Sequence, residues 1–342
     1  MNSLRILVSG GLGFIGSNFI RYILSINPNY KVINVDKIGL GANVQSLRDL
    51  KGTTRYKFIK GDICNYDLIE KLVKEVDAVV NIAAETHVDR SIADPWPFLQ
   101  SNTVGVFTLL EAIRRNNKKI RFMHVSTDEI YGDILDGSFD ENDRLKPSNP
   151  YSASKAAADM FCIAYRRTYN LDVIITRCTN NFGPYQFPEK LIPKTIIRAS
   201  MNLPVPIYGT GRNIRDWIYV LDHCEALRLI LEKGKSGEIY NISAGNELTN
   251  LEIAHEILNI MEKPESLIKF VEDRPGHDIR YSLDSSKIRR ELGWKPRYHF
   301  NSALEMTIEW YLKNRRWWEP LITEDILSPT PWKVKSKRDA KN

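Results

Sequence analysis

The chain of 342 residues is long enough for one large domain or two modest ones, with an ample buried core. Its hydrophobic content of 43% and charged content of 26% are ordinary for a globular protein. No apolar run approaches the length that crosses a bilayer, and the first residues lack the charged-then-apolar plan of a signal peptide. Composition therefore predicts a protein without a membrane partner, with the cytoplasm as its default location.

The net charge of +6 is concentrated at one end of the chain. Residues 333–342 include five basic residues and one acidic residue, so +4 of the total lies in this tail. Because the remainder is nearly neutral, we expect no nucleic-acid partner. The tail itself is expected to be a solvated end.

The four cysteines and six histidines lack the spacing of metal ligands, so no metal is expected. The cysteines are also too scattered for a disulfide framework, and buried apolar filler is their expected role. They are Cys64, Cys162, Cys178 and Cys224.

The first predicted element leads into a glycine-rich turn. The apolar strand Leu4–Ser9 runs into Gly10, Gly13 and Gly16, with Gly11 an equal candidate for the first position, and a helical pattern follows. Such glycines permit a tight turn and close approach of the backbone to a pyrophosphate. The helix N-terminus supplies free N–H groups for the phosphates. This arrangement predicts a dinucleotide-binding turn.

The second predicted strand, 31–35, ends on Asp36, 20 residues after Gly16. A carboxylate at this position accepts hydrogen bonds from the adenosine ribose and repels a 2′-phosphate, which favours NAD over NADP. Lys37 follows directly and weakens the preference, because a lysine tolerates a phosphate. A helix-capping or turn aspartate is the alternative interpretation of Asp36.

The next two strands end on residues suited to line a ligand. A strand over 56–59 is followed by Asp62 and Ile63, a placement suited to the adenine edge. The strand over 78–84 ends on small alanines that leave room for a cofactor, although plain packing explains small residues equally well. Helices are predicted over about 66–74 and 97–115.

Five strand-then-helix units in succession predict an α/β protein with a Rossmann-type doubly wound parallel sheet. From Gly183 onward prolines become frequent and the alternation lapses. We therefore predict an NAD-binding domain over 1–182 plus about 218–243, a smaller C-terminal α/β substrate domain over about 183–217 plus 244–320, and a basic tail over 321–342.

A candidate catalytic stretch follows the apolar strand at 120–125. Thr127, Asp128 and Glu129 would lie at the carboxyl end of a parallel strand, where open α/β sheets bind ligands. Alone, such a run is usually a turn or a helix cap.

Downstream, Tyr151 and Lys155 are four residues apart in a predicted helix, and so share one of its faces. The neighbouring ammonium is expected to lower the pKa of the phenol. A pair with this spacing gains meaning because a dinucleotide-binding pattern precedes it.

Together, the glycine turn and the Tyr151–Lys155 pair resemble the extended short-chain dehydrogenase/reductase superfamily. Within it, residues from about 4 to 318 closely resemble the dTDP-glucose 4,6-dehydratases. The segments that carry the likeness are Ala83–Ser91, Ser126–Gly132, Asn180–Leu191, Arg215–Trp217 and Arg274–Asp278. The adjacent Asp128 and Glu129 are the most specific part, since sugar-nucleotide epimerases have serine or other residues there.

The chain departs from the family pattern at a few positions. Residues 38–43 replace the usual Leu-Thr-Tyr-Ala-Gly-Asn, which affects the adenine end of the cofactor. Thr86 and Phe182 stand for the more usual Ser and Tyr, and Leu221 stands where Glu is frequent.

The resemblance implies conversion of dTDP-glucose to dTDP-4-keto-6-deoxyglucose and water, with bound NAD reduced and then reoxidised. It implies that Tyr151 removes the proton of the 4-hydroxyl, while Lys155 supports the phenolate and Thr127 binds the same oxygen. Glu129 is implied as the base at carbon 5, and Asp128 as the acid at the departing 6-hydroxyl. Two adjacent carboxyls suit these roles, because their repulsion separates their pKa values.

The resemblance also implies two sets of binding residues. Those for the cofactor are Gly10, Gly13, Phe14, Ile15, Gly16, Asp36, Lys37, Asp62, Ile63, Ala83, Ala84, Ser101, Tyr151, Lys155 and Asn181. Those for the substrate are Thr86, Thr127, Asn180, Glu189, Lys190, Leu191, Tyr208, Arg215, Asn250, Arg274 and His277. Arg215 and Arg274 suit a diphosphate through their forked donors, although either is compatible with an ordinary surface ion pair.

The resemblance further implies a homodimer in which helices near 97–115 and 156–169 pair. Two alternative functions remain open from the sequence. A UDP-glucose 4,6-dehydratase, or another sugar-nucleotide epimerase or dehydratase, shares most of these motifs. A non-catalytic NAD-binding sensor is a distant alternative, because a sensor needs none of the five catalytic candidates.

Overall fold

The structure is a computed structural model that describes residues 3–116, 118–323 and 325–333. Its strands are β1 (Leu4–Ser9), β2 (Tyr30–Asp36), β3 (Tyr56–Lys60), β4 (Ala78–Asn81), β5 (Arg121–Thr127), β6 (Asp172–Cys178), β7 (Asn180–Phe182), β8 (Val205–Tyr208), β9 (Ile214–Tyr219), β10 (Ile239–Ile242), β11 (Glu247–Thr249) and β12 (Ile268–Val271). Its helices are α1 (Phe14–Ile26), α2 (Tyr66–Val73), α3 (Val88–Ala93), α4 (Trp96–Phe98), α5 (Gly105–Arg114), α6 (Pro150–Tyr169), α7 (Leu191–Ser200), α8 (Val220–Lys233), α9 (Asn250–Ile260), α10 (Ser286–Leu292), α11 (Phe300–Lys313) and α12 (Arg315–Trp318).

Seven strands form a parallel sheet in the order β10-β6-β5-β4-β1-β2-β3. The chain builds outward from β1 through β2 to β3, and then returns to the other side of β1 with β4. Such a reversal leaves a crevice outside the carboxyl ends of β1 and β4, where open α/β sheets bind their ligands. The predicted Rossmann-type fold class is confirmed.

Both faces of the sheet are covered by helices. On one face the core includes Phe19 of α1 and Leu227 of α8. On the other face it includes Ile69 of α2, Leu109 of α5 and Ala158 of α6. Parallel strands buried on both sides read as nearly continuous apolar runs, which is why β1 and β4 were predictable from sequence.

Two smaller sheets follow along the chain. One has the order β11-β9-β7 and the other pairs β12 with β8 in parallel. Phe182, Trp217, Ile253 and Ile308 share a separate core beside them. Between these elements the chain returns to the large sheet with β10, as predicted. The division into two domains at the boundaries given above stays a prediction.

Three predicted segments differ in detail from the structure. The helix predicted over 97–115 is interrupted by a π-helical segment, Leu99–Val104, between α4 and α5. The strand predicted over 78–84 ends at Asn81, so the following residues are free to line a cavity. In the predicted basic tail, Ile326 and Trp332 are buried, and the part over 334–342 lies outside the described residues.

None of the helices in the described ranges is long and apolar enough to cross a membrane. Within those same ranges, no group of three or more His, Cys, Asp and Glu side chains is arranged to hold a metal ion. Three cysteines are buried, which agrees with their expected role as filler, while Cys64 is only half-buried.

Candidate active site

The first cavity lies at the carboxyl ends of β1, β2, β4 and β5. It is lined by every residue predicted to contact a cofactor: Gly10, Gly13, Phe14, Ile15, Gly16, Asp36, Lys37, Asp62, Ile63, Ala83, Ala84, Ser101, Tyr151, Lys155 and Asn181. The five catalytic candidates also line this cavity. The fold therefore brings both predicted sets together.

The glycine turn between β1 and α1 is too tight for side chains. Gly10 has a φ of +73°, and a Cβ there would lie 2.5 Å from the Cα of Ala83. A Cβ on Gly16 would lie 2.7 Å from the Cα of Gly11. Gly13 precedes the first helical residue without a side-chain cap. The N–H groups at the start of α1 are therefore available to an anion in the first cavity.

Asp36 is fixed at the end of β2 by two backbone donors. Its carboxylate accepts hydrogen bonds from Leu12 N at 3.0 Å and from Ile38 N at 2.8 Å. Burial raises the pKa of Asp36, while these hydrogen bonds and Lys37 oppose the shift. The carboxylate is thus oriented before any ligand binds.

Lys37 is held across the first cavity. Its Nζ lies 2.7 Å from Oε1 of Glu85 and donates to the Oγ of Ser101 at 2.6 Å. Ser101 belongs to the π-helical segment, which the sequence did not predict. The lysine is therefore engaged by a carboxylate that compensates its charge.

The acid pair follows β5 in a short 3-10 turn, Asp128–Ile130. Thr127 Oγ1 donates to Oδ1 of Asp128 at 3.1 Å and accepts from Glu129 N at 3.4 Å. Both carboxyl groups keep one buried oxygen, Oδ2 of Asp128 and Oε2 of Glu129, without a hydrogen-bond partner among the described residues. These oxygens are the atoms that remain for chemistry with a ligand.

The environment of the acid pair acts differently on the pKa values of its two carboxyl groups. Burial, and then the charge of Glu129, raise the pKa of Asp128 to about 8. Burial also raises the pKa of Glu129, but Arg274 and Arg215 stabilise its charged form. At neutral pH, Asp128 therefore holds a proton that it can donate, while Glu129 faces the available cations.

Tyr151 and Lys155 lie one turn apart near the start of α6, as predicted. The start of this helix is fixed by a capping box between Asn149 and Ser152. Tyr151 is 8% exposed and Lys155 is 3% exposed, so both are nearly enclosed.

The expected lowering of the pKa of Tyr151 is wrong for this structure. Burial and the charge of Glu129 raise the pKa of Tyr151 well above its usual range. The reason is that burial and the neighbouring carboxyls dominate around the phenol, while Lys155 Nζ donates one hydrogen bond to the carbonyl oxygen of Val125, at 2.7 Å. Burial lowers the pKa of Lys155 to about 8, against the charge of Asp159.

The second cavity adjoins the first. Nine of the predicted substrate residues line it: Asn180, Glu189, Lys190, Leu191, Tyr208, Arg215, Asn250, Arg274 and His277. Thr86 and Thr127 line the first cavity instead. Glu129 lines both, together with Asn180, Glu189 and Lys190, so the two cavities meet at Glu129 of the acid pair.

Two arginines of the second cavity are held in place by hydrogen bonds to neighbouring residues. Asp89, which is 1% exposed, accepts from Nη1 of Arg274 at 2.9 Å and from the hydroxyl of Tyr208 at 3.1 Å. Arg215 donates Nη2 to the carbonyl oxygen of Asp278 at 2.9 Å, with its guanidinium over the ring of Tyr281. Such a site presents fixed, forked donors to an anion.

Sequence reasoning missed three residues of the site: Glu85, His87 and Asp89. All three lie in the Ala83–Ser91 segment that carries part of the resemblance, which is the signal by which they were detectable. His87 has a φ of +92°, is buried and lines the second cavity. A strained, buried histidine at a cavity wall marks a position under functional constraint.

The family model described as GDP-mannose 4,6 dehydratase matches residues 7–307. A dTDP-glucose 4,6-dehydratase from Streptomyces niveus is 48% identical over 332 residues, which cover 96% of this chain and 98% of that protein. The crystal structure of DesIV, a dTDP-glucose 4,6-dehydratase from Streptomyces venezuelae with NAD and TYD bound, matches with a TM-score of 0.91 and 45% identity. That match covers 93% of this chain and 100% of the DesIV chain.

A more distant structure also shares the fold. The UDP-glucuronic acid 4-epimerase from Bacillus cereus, in complex with UDP-glucuronic acid and NAD, matches with a TM-score of 0.86 but only 28% identity, over 91% of this chain and 99% of that chain. The dehydratases are thus far more similar in sequence than the epimerase, over nearly the whole length. The chain belongs to the dTDP-glucose 4,6-dehydratase family of hydro-lyases.

Proposed function

We propose that this protein converts dTDP-glucose to dTDP-4-keto-6-deoxyglucose and water, with NAD as a cofactor that is regenerated in each cycle. The observation that carries the proposal is the buried pair of Asp128 and Glu129, of which Glu129 lines both cavities. A protonated acid beside an ionised base is what elimination of water requires. Family membership supports the same activity.

NAD fits the residues of the first cavity. The turn at Gly10 and Gly16 leaves no room for a Cβ, so the backbone can approach a pyrophosphate. The oriented carboxylate of Asp36 suits a ribose hydroxyl. When bound, the cofactor supplies hydride acceptance from carbon 4 of the sugar and hydride return to carbon 6.

In the first step, Tyr151 as phenolate takes the proton of the sugar 4-hydroxyl. Thr127 turns its O–H from Oδ1 of Asp128 to donate a hydrogen bond to the same oxygen. Because burial and Glu129 raise the pKa of Tyr151, the phenolate needs a compensating positive charge. Lys155, one turn away on α6, is the cation that the helix provides.

Elimination follows at carbons 5 and 6. The ketone formed at carbon 4 makes the proton on carbon 5 acidic, and Glu129 removes it. Asp128 gives its proton to the 6-hydroxyl, so the bond from carbon 6 to oxygen breaks and water leaves. Glu129 then returns its proton to carbon 5. Tyr151 releases to solvent the proton that it took from the 4-hydroxyl, and Asp128 takes one proton from solvent. Both carboxyls end as they began.

The second cavity is proposed to hold the nucleotide and its diphosphate. Arg274 and Arg215 offer forked donors to the phosphate oxygens. Lys190 adds a third cation where the two cavities meet. The nucleobase would then be recognised by the other residues that line the second cavity. A UDP-sugar is the competing substrate.

The test is mass spectrometry of the sugar nucleotide after incubation of the purified protein with dTDP-glucose and, separately, with UDP-glucose, without external reductant. We expect a dTDP product lighter by one water, formed faster than any UDP product. Faster conversion of UDP-glucose would reassign the nucleotide. An unchanged mass with a new stereoisomer would reassign the enzyme as an epimerase, and no product at all would favour a sensor.

We also propose that the protein is a homodimer. Phe107 of α5 and Phe161 of α6 are 40% and 36% exposed, and their rings lie 5.8 Å apart. Met160 of α6 and Leu99 of the π-helical segment before α5 are exposed apolar side chains as well. A patch of this kind marks a protein interface.

Light scattering after gel filtration tests the dimer. Phe107→Asp should yield monomers, while Leu135→Asp, at a side chain that is 67% exposed elsewhere, should not. A dimer in both variants contradicts this interface.

We place the enzyme in the cytoplasm, where nucleotide sugars and NAD are available, and cell fractionation checks this location.

A further inference from the structure

A row of polar side chains crosses the middle of the apolar sheet. Ser9 of β1 pairs in register with Asn81 of β4, which pairs in register with His124 of β5. Each of the three is 0% exposed. Buried polar side chains are costly unless they are hydrogen-bonded, so this row needs a reason.

The row contrasts with its neighbours on the same sheet face. Two residues earlier in each strand, the corresponding row is Leu7, Val79 and Phe122, all fully buried and apolar. A polar row thus replaces an apolar row only at the level next to the active site.

The distances fix the direction of the hydrogen bonds. Ser9 Oγ lies 2.5 Å from Oδ1 of Asn81, a separation typical of O–H···O and short for N–H···O. The amide nitrogen of Asn81 therefore faces Nδ1 of His124, at 3.0 Å. Because that amide nitrogen can only donate, Nδ1 accepts and the ring proton of the neutral imidazole is on Nε2.

The Nε2–H group of His124 faces Lys155 and Asp159. It lies 3.4 Å from Lys155 Nζ and 3.6 Å from Oδ1 of Asp159. That carboxylate oxygen has no hydrogen-bond partner among the described residues. An imidazole N–H offers no lone pair to an ammonium, so Lys155 donates to the carbonyl oxygen of Val125 instead. Its two other N–H groups remain for the active site.

The charges around the row keep His124 neutral. Burial, Lys155 and Arg177 hold the pKa of His124 well below its usual range. Around Lys155, Asp159, Cys178 and Cys162 oppose the effect of burial on the lysine pKa.

Asp159 is itself paired with Arg177, whose Nε donates to Oδ2 at 2.9 Å. One turn before Lys155 on α6, the charges of Glu129 and Asp128 act on the phenol of Tyr151 and raise its pKa.

We propose that Ser9, Asn81 and His124 form a positioning row for Lys155. Asn81 holds His124 as the Nε2–H tautomer, so the lysine keeps its free N–H groups for the active site rather than giving one to the imidazole. The kinetic part of this inference rests on the proposed function, whereas the tautomer part does not.

The tautomer is tested directly by NMR. Long-range proton–nitrogen correlation spectra of the protein labelled with ¹⁵N-histidine distinguish the two tautomers, and His124→Gln assigns the signal. We expect an unprotonated Nδ1 and a protonated Nε2. The opposite tautomer, or a charged ring at neutral pH, would overturn the proposal whatever the enzyme does.

The kinetic test uses Asn81→Asp, which keeps the shape of the side chain but replaces its N–H donor by an acceptor. The carboxylate selects the Nδ1–H tautomer, so Nε2 becomes an acceptor for Lys155. Cofactor reduction on mixing with dTDP-glucose should slow by about tenfold or more, the scale at which a disturbed acid–base group acts. Its pH profile should shift, while the KM should stay unchanged.

Val79→Ala is the matched control, because it lies on the same strand and sheet face and is equally buried. It should lower stability but leave the pH profile in place. An unchanged rate and profile in folded Asn81→Asp would contradict the proposal. If that variant does not fold, Ser9→Ala should slow cofactor reduction in the same direction, and an unchanged rate there is equally contrary.

Failure of the unmodified protein to convert dTDP-glucose would count against the proposed function alone, because the tautomer measurement needs no turnover.

Discussion

The first cavity and the second cavity meet at Glu129, but they are formed by different parts of the chain. The first is shaped mainly by backbone. Glycine is required at positions 10 and 16, because a Cβ on Gly10 or Gly16 would collide with neighbouring backbone atoms. The second is shaped by charged side chains from distant segments, such as Asp89 and Arg274, which are 185 residues apart. A turn that lets the backbone approach a ligand closely can be specified by a short local motif. A charged side chain that must be held in place needs an oppositely charged partner, which the fold brings from a distant part of the chain.

This difference predicts that substitutions in the two cavities fail in different ways. Changes in the first cavity should weaken cofactor retention, and changes in the second should raise the KM for the sugar nucleotide. The catalytic candidates, and the residues that position them, should affect kcat most strongly.

The largest effect is expected at the acid pair. Asp128→Asn removes the acid, so kcat for dehydration should fall by about 10²- to 10⁴-fold, and reduced cofactor should accumulate on the enzyme. Stopped-flow absorbance with mass spectrometry of the product measures both. Asp136→Asn, an exposed carboxylate changed in the same way, should be silent.

The same residue sets a pH dependence. Because burial and Glu129 raise the pKa of Asp128 to about 8, the acid is protonated below that pH and loses its proton above it. The rate of water loss should therefore fall as pH rises through about 8, and this fall should be missing in Asp128→Asn. A flat profile in the unmodified enzyme would contradict the role of Asp128.

A smaller effect is expected in the second cavity. Asp89→Asn leaves Arg274 without its buried anion, and truncating one partner of such a pair costs about 2 kcal/mol or more. The KM for dTDP-glucose should rise roughly 10- to 100-fold with a much smaller change in kcat. Steady-state kinetics measures this, and an effect confined to kcat would contradict the assignment.

In the first cavity, Gly16→Ala should destabilise the fold by about 1–3 kcal/mol through overpacking. It should also release bound NAD, while the KM for dTDP-glucose stays unchanged in excess NAD. Urea unfolding and the NAD content after gel filtration measure these effects. Gly13→Ala is the comparison, since its Cβ would lie 3.3 Å from Gly10 O and so cost less.

The smallest effect is expected from salt. Raising the ionic strength should weaken binding in the charged second cavity, with roughly a twofold rise in KM, because enclosed charges are screened less than exposed ones. Cofactor retention in the first cavity should change little. If salt released the cofactor more than it weakened substrate binding, the proposed difference between the two cavities would be contradicted.

The parts of the fold that were predictable are those with local signals. The apolar runs of β1 and β2, and the glycine turn between β1 and α1, give element types and nearly correct bounds. By contrast β7, β8, β9, β11 and β12 are short, with three to six residues each, and pair with distant segments. They carry too little periodicity to be recognised from sequence.

The site shows the same division. Asp128, Glu129, Tyr151 and Lys155 could be predicted to lie together because their spacing is local, and they line the same cavity. The direction of the Tyr151 pKa was wrong, since it depends on burial and on where the lysine points. Likewise His124 lies in an apolar run, and only the register of three strands shows its hydrogen bonds.

A single isotope experiment tests whether the hydride removed from carbon 4 returns within the same molecule to carbon 6. The protein, with its bound cofactor, is incubated with dTDP-glucose deuterated at carbon 4, and the product is analysed by mass spectrometry and NMR. The proposed function predicts a product lighter by one water that carries the deuterium at carbon 6. Deuterium still at carbon 4, or lost to solvent, would contradict it.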